Sequence, residues 1–361
     1  MYLDANATEP LRPEAKAAAV AAMGLGNPAS VHGAGRAARK ILEDAREAVA
    51  CCLRAKPGDV IFCSGASEAN ALAVHALGEG RAVLYGATEH DCVRAAAPGG
   101  GVIPVLPDGT VDLDALEGLL AGQPGALVCL MAANNETGVR HDMAAAAALC
   151  ARHGALLHVD AVQAAGRCRE DWLGMGAASV AISGHKVGGP MGAGALVVSA
   201  GREIKPDLHG GGQELGRRGG TPALPSIAGM AAALEGGYEA ARIAGYRDEI
   251  EAFCLRLGAV AMGAGAPRLA NTTCLALPGV KAQTQLIALD MAGFAVSAGS
   301  ACSSGKVAQS HVLQAMGAGA LAGQAVRVSL PWNVEAPVVA AFCVAYEAMA
   351  KRALHGQARC A

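Results

Sequence analysis

The sequence predicts an α/β fold: a mostly parallel seven-stranded sheet in a large domain, with a smaller α+β domain. Seven short apolar runs, rich in Val, Ile and Leu, recur through the first two hundred residues. Ala-rich stretches of helical length separate many of them, the alternation expected of strands crossed over by helices. After residue 260 the pattern restarts with strands and helices in a different rhythm.

Two helical stretches, near 14–23 and 34–54, come first, and their alanines have the best intrinsic helix propensity. The strand-like runs are 60–63, 82–85, 102–105, 127–130, 156–159, 180–182 and 195–198. They are apolar almost throughout and do not alternate, as strands covered on both faces do not. Helical candidates at 67–79, 112–121 and 142–153 lie between them. A glycine-rich loop, His209-Gly210-Gly211-Gly212, leads into a helical passage over 222–258. Then come a strand at 272–277, a helix at 281–291 and a strand at 293–297. A Ser/Gly loop, a helix near 308–316, a strand at 325–330 and a closing helix near 335–354 complete the chain. The large domain is expected over 14–258. The small one, with the Ser/Gly loop, takes 1–13 and 259–361.

Composition excludes several classes of function. The net charge is −2 with 17% charged residues, and no basic cluster suits a nucleic-acid backbone. The N-terminus lacks a basic and an apolar leader region, and no apolar run approaches the roughly 18 residues of a membrane span. A soluble, cytoplasmic protein is expected. Twelve cysteines without a secretory signal or a C-x-x-C pair read as free thiols, mostly small buried hydrophobes. Cysteines and histidines do not cluster at ligand spacing, so no metal site is expected.

Polar residues gather at the ends of the strand runs. Ser183-Gly184-His185-Lys186 ends the run at 180–182, and Asp160 ends the run at 156–159. A lysine and an acid at two strand ends are what pyridoxal phosphate requires. The lysine carries the cofactor covalently, and the carboxylate keeps the pyridine nitrogen protonated. Gln163, three residues beyond Asp160, is placed to donate to the phenolic oxygen. Ser64-Gly65-Ala66-Ser67-Glu68 joins a strand to a helix start, where free N–H groups and the helix dipole suit a phosphate. Ser183 and His185 can reach the same phosphate. His90, in Thr88-Glu89-His90, can stack on a planar ring and shuttle protons. Asn135, in Asn134-Asn135-Glu136-Thr137-Gly138, lies at another strand end. Ligands in open α/β sheets bind off these carboxyl ends.

Together with Gly26-Asn27-Pro28-Ala29-Ser30, Arg218-Gly219-Gly220-Thr221 and Gly299-Ser300-Ala301-Cys302, these motifs resemble the cysteine desulfurases. Those are pyridoxal-phosphate enzymes of the class V aminotransferase group. The resemblance runs from Tyr2 to about Leu330 and matches the type with a long catalytic loop. It implies the type I PLP-dependent transferase fold and a homodimer. By the same match Lys186 is the cofactor lysine, Asp160 the pyridinium partner and His90 the ring-stacking acid/base that helps deprotonate a thiol. Ala66, Ser67, Ser183 and His185 resemble phosphate contacts, and Thr221 one that reaches the partner subunit's phosphate. Asn135, Arg327 and Asn27 resemble substrate contacts; a guanidinium fork holds a carboxylate bidentately.

The implied reaction converts L-cysteine to L-alanine, with Cys302 becoming a persulfide. The sulfur then passes to a protein acceptor, an iron–sulfur scaffold or carrier. Other class V enzymes, aminotransferases or selenocysteine lyases, are the alternatives. Met191, Pro331 and Glu9 depart from the family pattern. The chain also ends at Ala361, soon after one helix, where housekeeping desulfurases carry a longer tail that helps dock a scaffold.

Overall fold

The computed structural model describes residues 1–299 and 309–358. Two helices open the chain, α1 (Pro13–Met23) and α2 (Gly33–Cys52). There follow β1 (Val60–Cys63), α3 (Ala66–Gly78), β2 (Val83–Gly86), α4 (Asp91–Ala96), β3 (Gly101–Ile103) and α5 (Leu113–Gly122). Next come β4 (Leu127–Met131), α6 (Met143–Arg152), β5 (Leu156–Asp160), β6 (Ser179–Ser183) and β7 (Gly194–Val198). These strands form one seven-stranded sheet in the order β1-β7-β6-β5-β4-β2-β3. Only β7 runs against its neighbours. A mostly parallel sheet of seven strands is therefore observed as expected.

Alternate residues of each strand enter different cores. Val60, Phe62, Val128 and Leu130 pack with α1, α2, α6 and α7 (Leu224–Glu235). Ile61, Cys63, Leu127 and Cys129 pack with α3 on the opposite face. Burial on both faces explains why these runs do not alternate in polarity. The β3 run stops at Ile103, one residue before Pro104, which has no N–H to give a ladder.

The second unit is built on α8 (Ala240–Arg256), β8 (Val260–Met262), β9 (Thr272–Ala276), α9 (Ala282–Met291), α10 (His311–Ala315), β10 (Ala325–Ser329) and α11 (Ala336–Ala358). Its three strands are antiparallel, in the order β10-β9-β8. Leu3, Leu275, Phe294, Val326, Phe342 and Tyr346 form its core, with Ile243, Ile250 and Cys254 of α8. By packing, α8 sides with the small unit, whereas its amphipathic pattern ran on with the large one to 258. The stretch at 293–297 makes no regular strand; it is held by single bridges, Tyr2 to Ala295 and Ser297 to Arg327. No helix among the described residues is long and apolar enough to cross a membrane.

Candidate active site

The parallel strands β4, β5 and β6 end side by side, and the polar residues at their carboxyl ends meet in one cleft of about 630 Å³. Ala66, Ser67, His90, Asn135, Asp160, Gln163, Ser183, His185, Lys186 and Arg327 all line it. Ten positions separated by up to 261 residues thus converge.

The anion cup is the N-terminus of α3. Gly65 is its extended cap, and the thirteen-residue helix begins at Ala66. A Cβ added to Gly65 would meet nothing within 4 Å, so the cup is open. Beneath it, a Cβ on Gly194 would lie 2.6 Å from the Gly65 carbonyl carbon. Only glycine lets β7 pass that close. Glu68 accepts from the Ser64 N–H at 2.8 Å and pairs with Arg218 at 2.7 Å, fixing the turn.

Lys186 leaves β6 through a short 3-10 turn, Gly184–Lys186. Its ammonium donates to the carbonyls of Asn6 at 2.6 Å and Ala7 at 2.9 Å. Burial, then the Arg327 and Arg167 guanidinium groups, bring its pKa down to about 8. Asp160 is buried at the end of β5 and accepts from the Val162 N–H at 3.0 Å and the Asn70 amide at 2.7 Å. Burial pushes its carboxyl up from the usual range, and these donors pull it back. Placing a cation against a buried carboxylate favours the charged form. A buried acid awaiting a positive nitrogen, a facing amine of lowered pKa and an open anion cup fit pyridoxal phosphate.

Arg327, on β10, gives one Nη to the Asn135 carbonyl at 3.1 Å and the other to Asp4 at 2.5 Å. Its Nε is buried without a partner, an unspent donor beside the cleft. Asp4, which the sequence reading did not single out, forms an ion pair with the guanidinium. Gln163 is anchored at the cleft wall: its amide nitrogen donates to the Asn6 carbonyl at 3.0 Å, and its oxygen takes Arg167 at 2.7 Å. His185 Nδ1 lies 3.1 Å from the Thr8 hydroxyl, and burial, then Lys186, lowers its pKa to about 4.

His90 caps α4: its Nδ1 accepts the Cys92 N–H at 3.2 Å. A backbone N–H can only donate, so Nδ1 is unprotonated and the neutral ring carries its hydrogen on Nε2. Nδ1 is thereby engaged at the helix cap. The Cys92 thiol lies 3.1 Å from the same nitrogen, and burial raises its pKa to about 12.

Two predicted residues lie elsewhere. Asn27 and Thr221 line a second cleft of about 480 Å³ with Arg39, Arg46 and Glu214. Cys302 lies outside the described residues. Ser297, Gly299 and His311, which flank its loop, line the first cleft.

The class V aminotransferase family model matches residues 1–342. The chain belongs to that family. An IscS-like cysteine desulfurase of Mycobacterium tuberculosis is 36% identical, over 97% of this chain and 96% of the relative. A NifS-like protein from Rickettsia africae superposes with a TM-score of 0.90 at 32% identity, covering 97% of this chain and 99% of that one. A structure described as SspA in complex with cysteine has a TM-score of 0.82 at 28% identity, covering 92% and 99%. The chain is thus a pyridoxal-phosphate enzyme with the type I fold, similar over nearly its whole length to cysteine desulfurases.

Proposed function

We propose that this chain removes sulfur from L-cysteine, releasing L-alanine and leaving a persulfide on Cys302. The observation that carries the reading is Lys186 facing buried Asp160 across a cleft that also holds Arg327. Bound pyridoxal phosphate supplies an electron sink for the substrate's α-carbon. Arg327 binds the substrate carboxylate, with Asn135 beside it. Lys186, with its pKa near 8, keeps a sizeable free-amine fraction at neutral pH and takes the α-proton.

The Cys302 thiolate attacks the substrate sulfur. The Cβ–S bond breaks as the S–S bond forms, and the electron pair left on Cβ takes up a proton. One thiol and one cysteine thus become one persulfide and one alanine. An ordinary thiol of pKa about 8.5 is only a few per cent ionised at pH 7. His90 assists by hydrogen bonding through its Nε2–H to a sulfur anion, which favours the thiolate. A protein sulfur acceptor then receives the persulfide sulfur. The enzyme works as a homodimer in the cytoplasm, and Asn27 and Thr221 serve the partner subunit's site.

Alanine released from L-cysteine is measured with wild type and Cys302→Ala, each loaded with cofactor and supplied with a thiol reductant. Alanine from the wild type and little from the variant is expected. Equal alanine from both would favour a lyase that does not use Cys302. No alanine from either would favour an aminotransferase.

A further inference from the structure

Behind the cleft lies a buried polar chain that the reaction as described does not use. Asn70 on α3, His158 on β5 and Ser179 on β6 are each fully buried. The Asn70 amide nitrogen donates to Asp160 Oδ2 at 2.7 Å, and its oxygen lies 2.9 Å from His158 Nε2. His158 Nδ1 lies 2.8 Å from the Ser179 hydroxyl. With Asp160 ionised, every direction in this hydrogen-bond chain follows. An ionised Asp160 can only accept, so the Asn70 nitrogen faces it and the Asn70 oxygen faces His158. His158 must then carry its hydrogen on Nε2, and Nδ1 accepts from Ser179. Burial lowers the pKa of His158 to about 4, so the ring stays neutral and the pattern is not reversed by protonation.

The second Asn70 amide hydrogen points another way. The nitrogen lies 3.3 Å from Cys92 Sγ, and Sγ lies 3.1 Å from His90 Nδ1. The thiol therefore accepts from Asn70 and lies beside His90 Nδ1, which accepts the Cys92 N–H. One carboxamide touches both Asp160 directly and His90 through the Cys92 sulfur.

We propose that Asn70 is a positioning residue whose amide, oriented by His158 and Ser179, holds Asp160 as a carboxylate aimed at the pyridine nitrogen. Donors pointing at Asp160 oppose the burial that would otherwise protonate it. Aligned hydrogen bonds in a dry interior reinforce one another, so the distant hydroxyl contributes through the ring and the amide. The inference rests on Asp160 being the partner of the pyridine nitrogen, and the test separates the two.

Cofactor affinity and the absorbance band of the bound cofactor are measured for wild type, Asn70→Ala, Asn70→Asp, His158→Gln, Ser179→Ala and Asp160→Asn. A charge-assisted hydrogen bond lost to a buried carboxylate weakens binding by about tenfold. Asn70→Ala and Asn70→Asp are expected to bind about tenfold more weakly, with the band moved toward that of Asp160→Asn. His158→Gln, whose amide replaces the Nε2–H, is expected to stay near wild type. Ser179→Ala is expected to fall between. Should Asn70→Ala fail to fold, the isosteric Asn70→Asp decides. Wild-type affinity and an unmoved band in the folded Asn70 variants, with Asp160→Asn altered, would overturn the role of Asn70. An unaltered Asp160→Asn would overturn the reading of Asp160 on which it rests.

Discussion

Lys186 sits against two carbonyls, with Arg327 and Arg167 near enough to repel its charge and Asp4 and Asp160 to attract it. Burial and the two guanidinium groups win, and the pKa settles at about 8. Its consequence is a pH profile. Below that value the free-amine fraction falls about tenfold per pH unit, and above it the fraction saturates. The rate at which the apoenzyme takes up pyridoxal phosphate covalently is therefore expected to rise with pH and level off above about 8. Stopped-flow absorbance against pH reads this directly. A rate that keeps climbing toward the ordinary lysine pKa of 10.5 would show that the amine is not desolvated as described. The identity of the lysine was legible in Ser183-Gly184-His185-Lys186, since chemistry of this kind must sit at a strand end. Its partners Asn6 and Ala7 were not. They are backbone carbonyls 180 and 179 residues away, and no local pattern announces a long-range acceptor.

Elements are held in register by buried ion pairs, and these too escaped the sequence. Glu214 stands in a turn with φ of 49°, left-handed backbone that a branched-off carboxylate side chain rarely adopts unless the surroundings impose it. Here they do: Arg46 of α2 binds it bidentately at 2.7 and 2.8 Å, and the Phe62 N–H of β1 donates at 2.9 Å. One carboxylate thus ties α2, β1 and the turn before Thr221. The pair is almost wholly buried, with side chains 10% and 4% exposed. Removing one partner strands the other charge, so Glu214→Gln is expected to lose about 3 kcal/mol in urea unfolding. The less buried Glu68–Arg218 pair, with side chains 26% and 16% exposed, gives the contrast: Glu68→Gln is expected to cost about 1 kcal/mol or less. Equal losses would mean that burial does not set the value of these pairs here. The strands themselves were readable because continuous apolar runs have few other uses. The segment at 293–297 was misread for the same reason: its residues are apolar, but Ala295 and Ser297 meet only single neighbours, and tertiary context decides pairing.

At the scale of the molecule, the second cleft is the feature without a task in one chain. It holds Asn27 and Thr221, and Leu215 in its wall is 79% exposed. A large exposed apolar side chain in the wall of a polar cleft suits a surface covered by a partner. In a two-fold dimer each subunit offers the same patch, so Thr221 of one chain can complete the cofactor site of the other. The sequence motif Arg218-Gly219-Gly220-Thr221 pointed to this residue, while the geometry within one chain keeps it from the first cleft. Mixed dimers test the arrangement. Thr221→Glu sets a negative charge against the cofactor phosphate, and Lys186→Ala removes the cofactor lysine; each homodimer is expected to be inactive. When the two variants are unfolded together and refolded, about half the dimers are mixed. If Thr221 acts across the interface, one site of each mixed dimer has both wild-type residues, and about a quarter of wild-type activity returns. If Thr221 acts within its own chain, every site in the mixture carries a defect and no activity returns. Recovery of alanine production on mixing, with none in either variant alone, therefore assigns Thr221 to the opposite subunit without any assumption about rates.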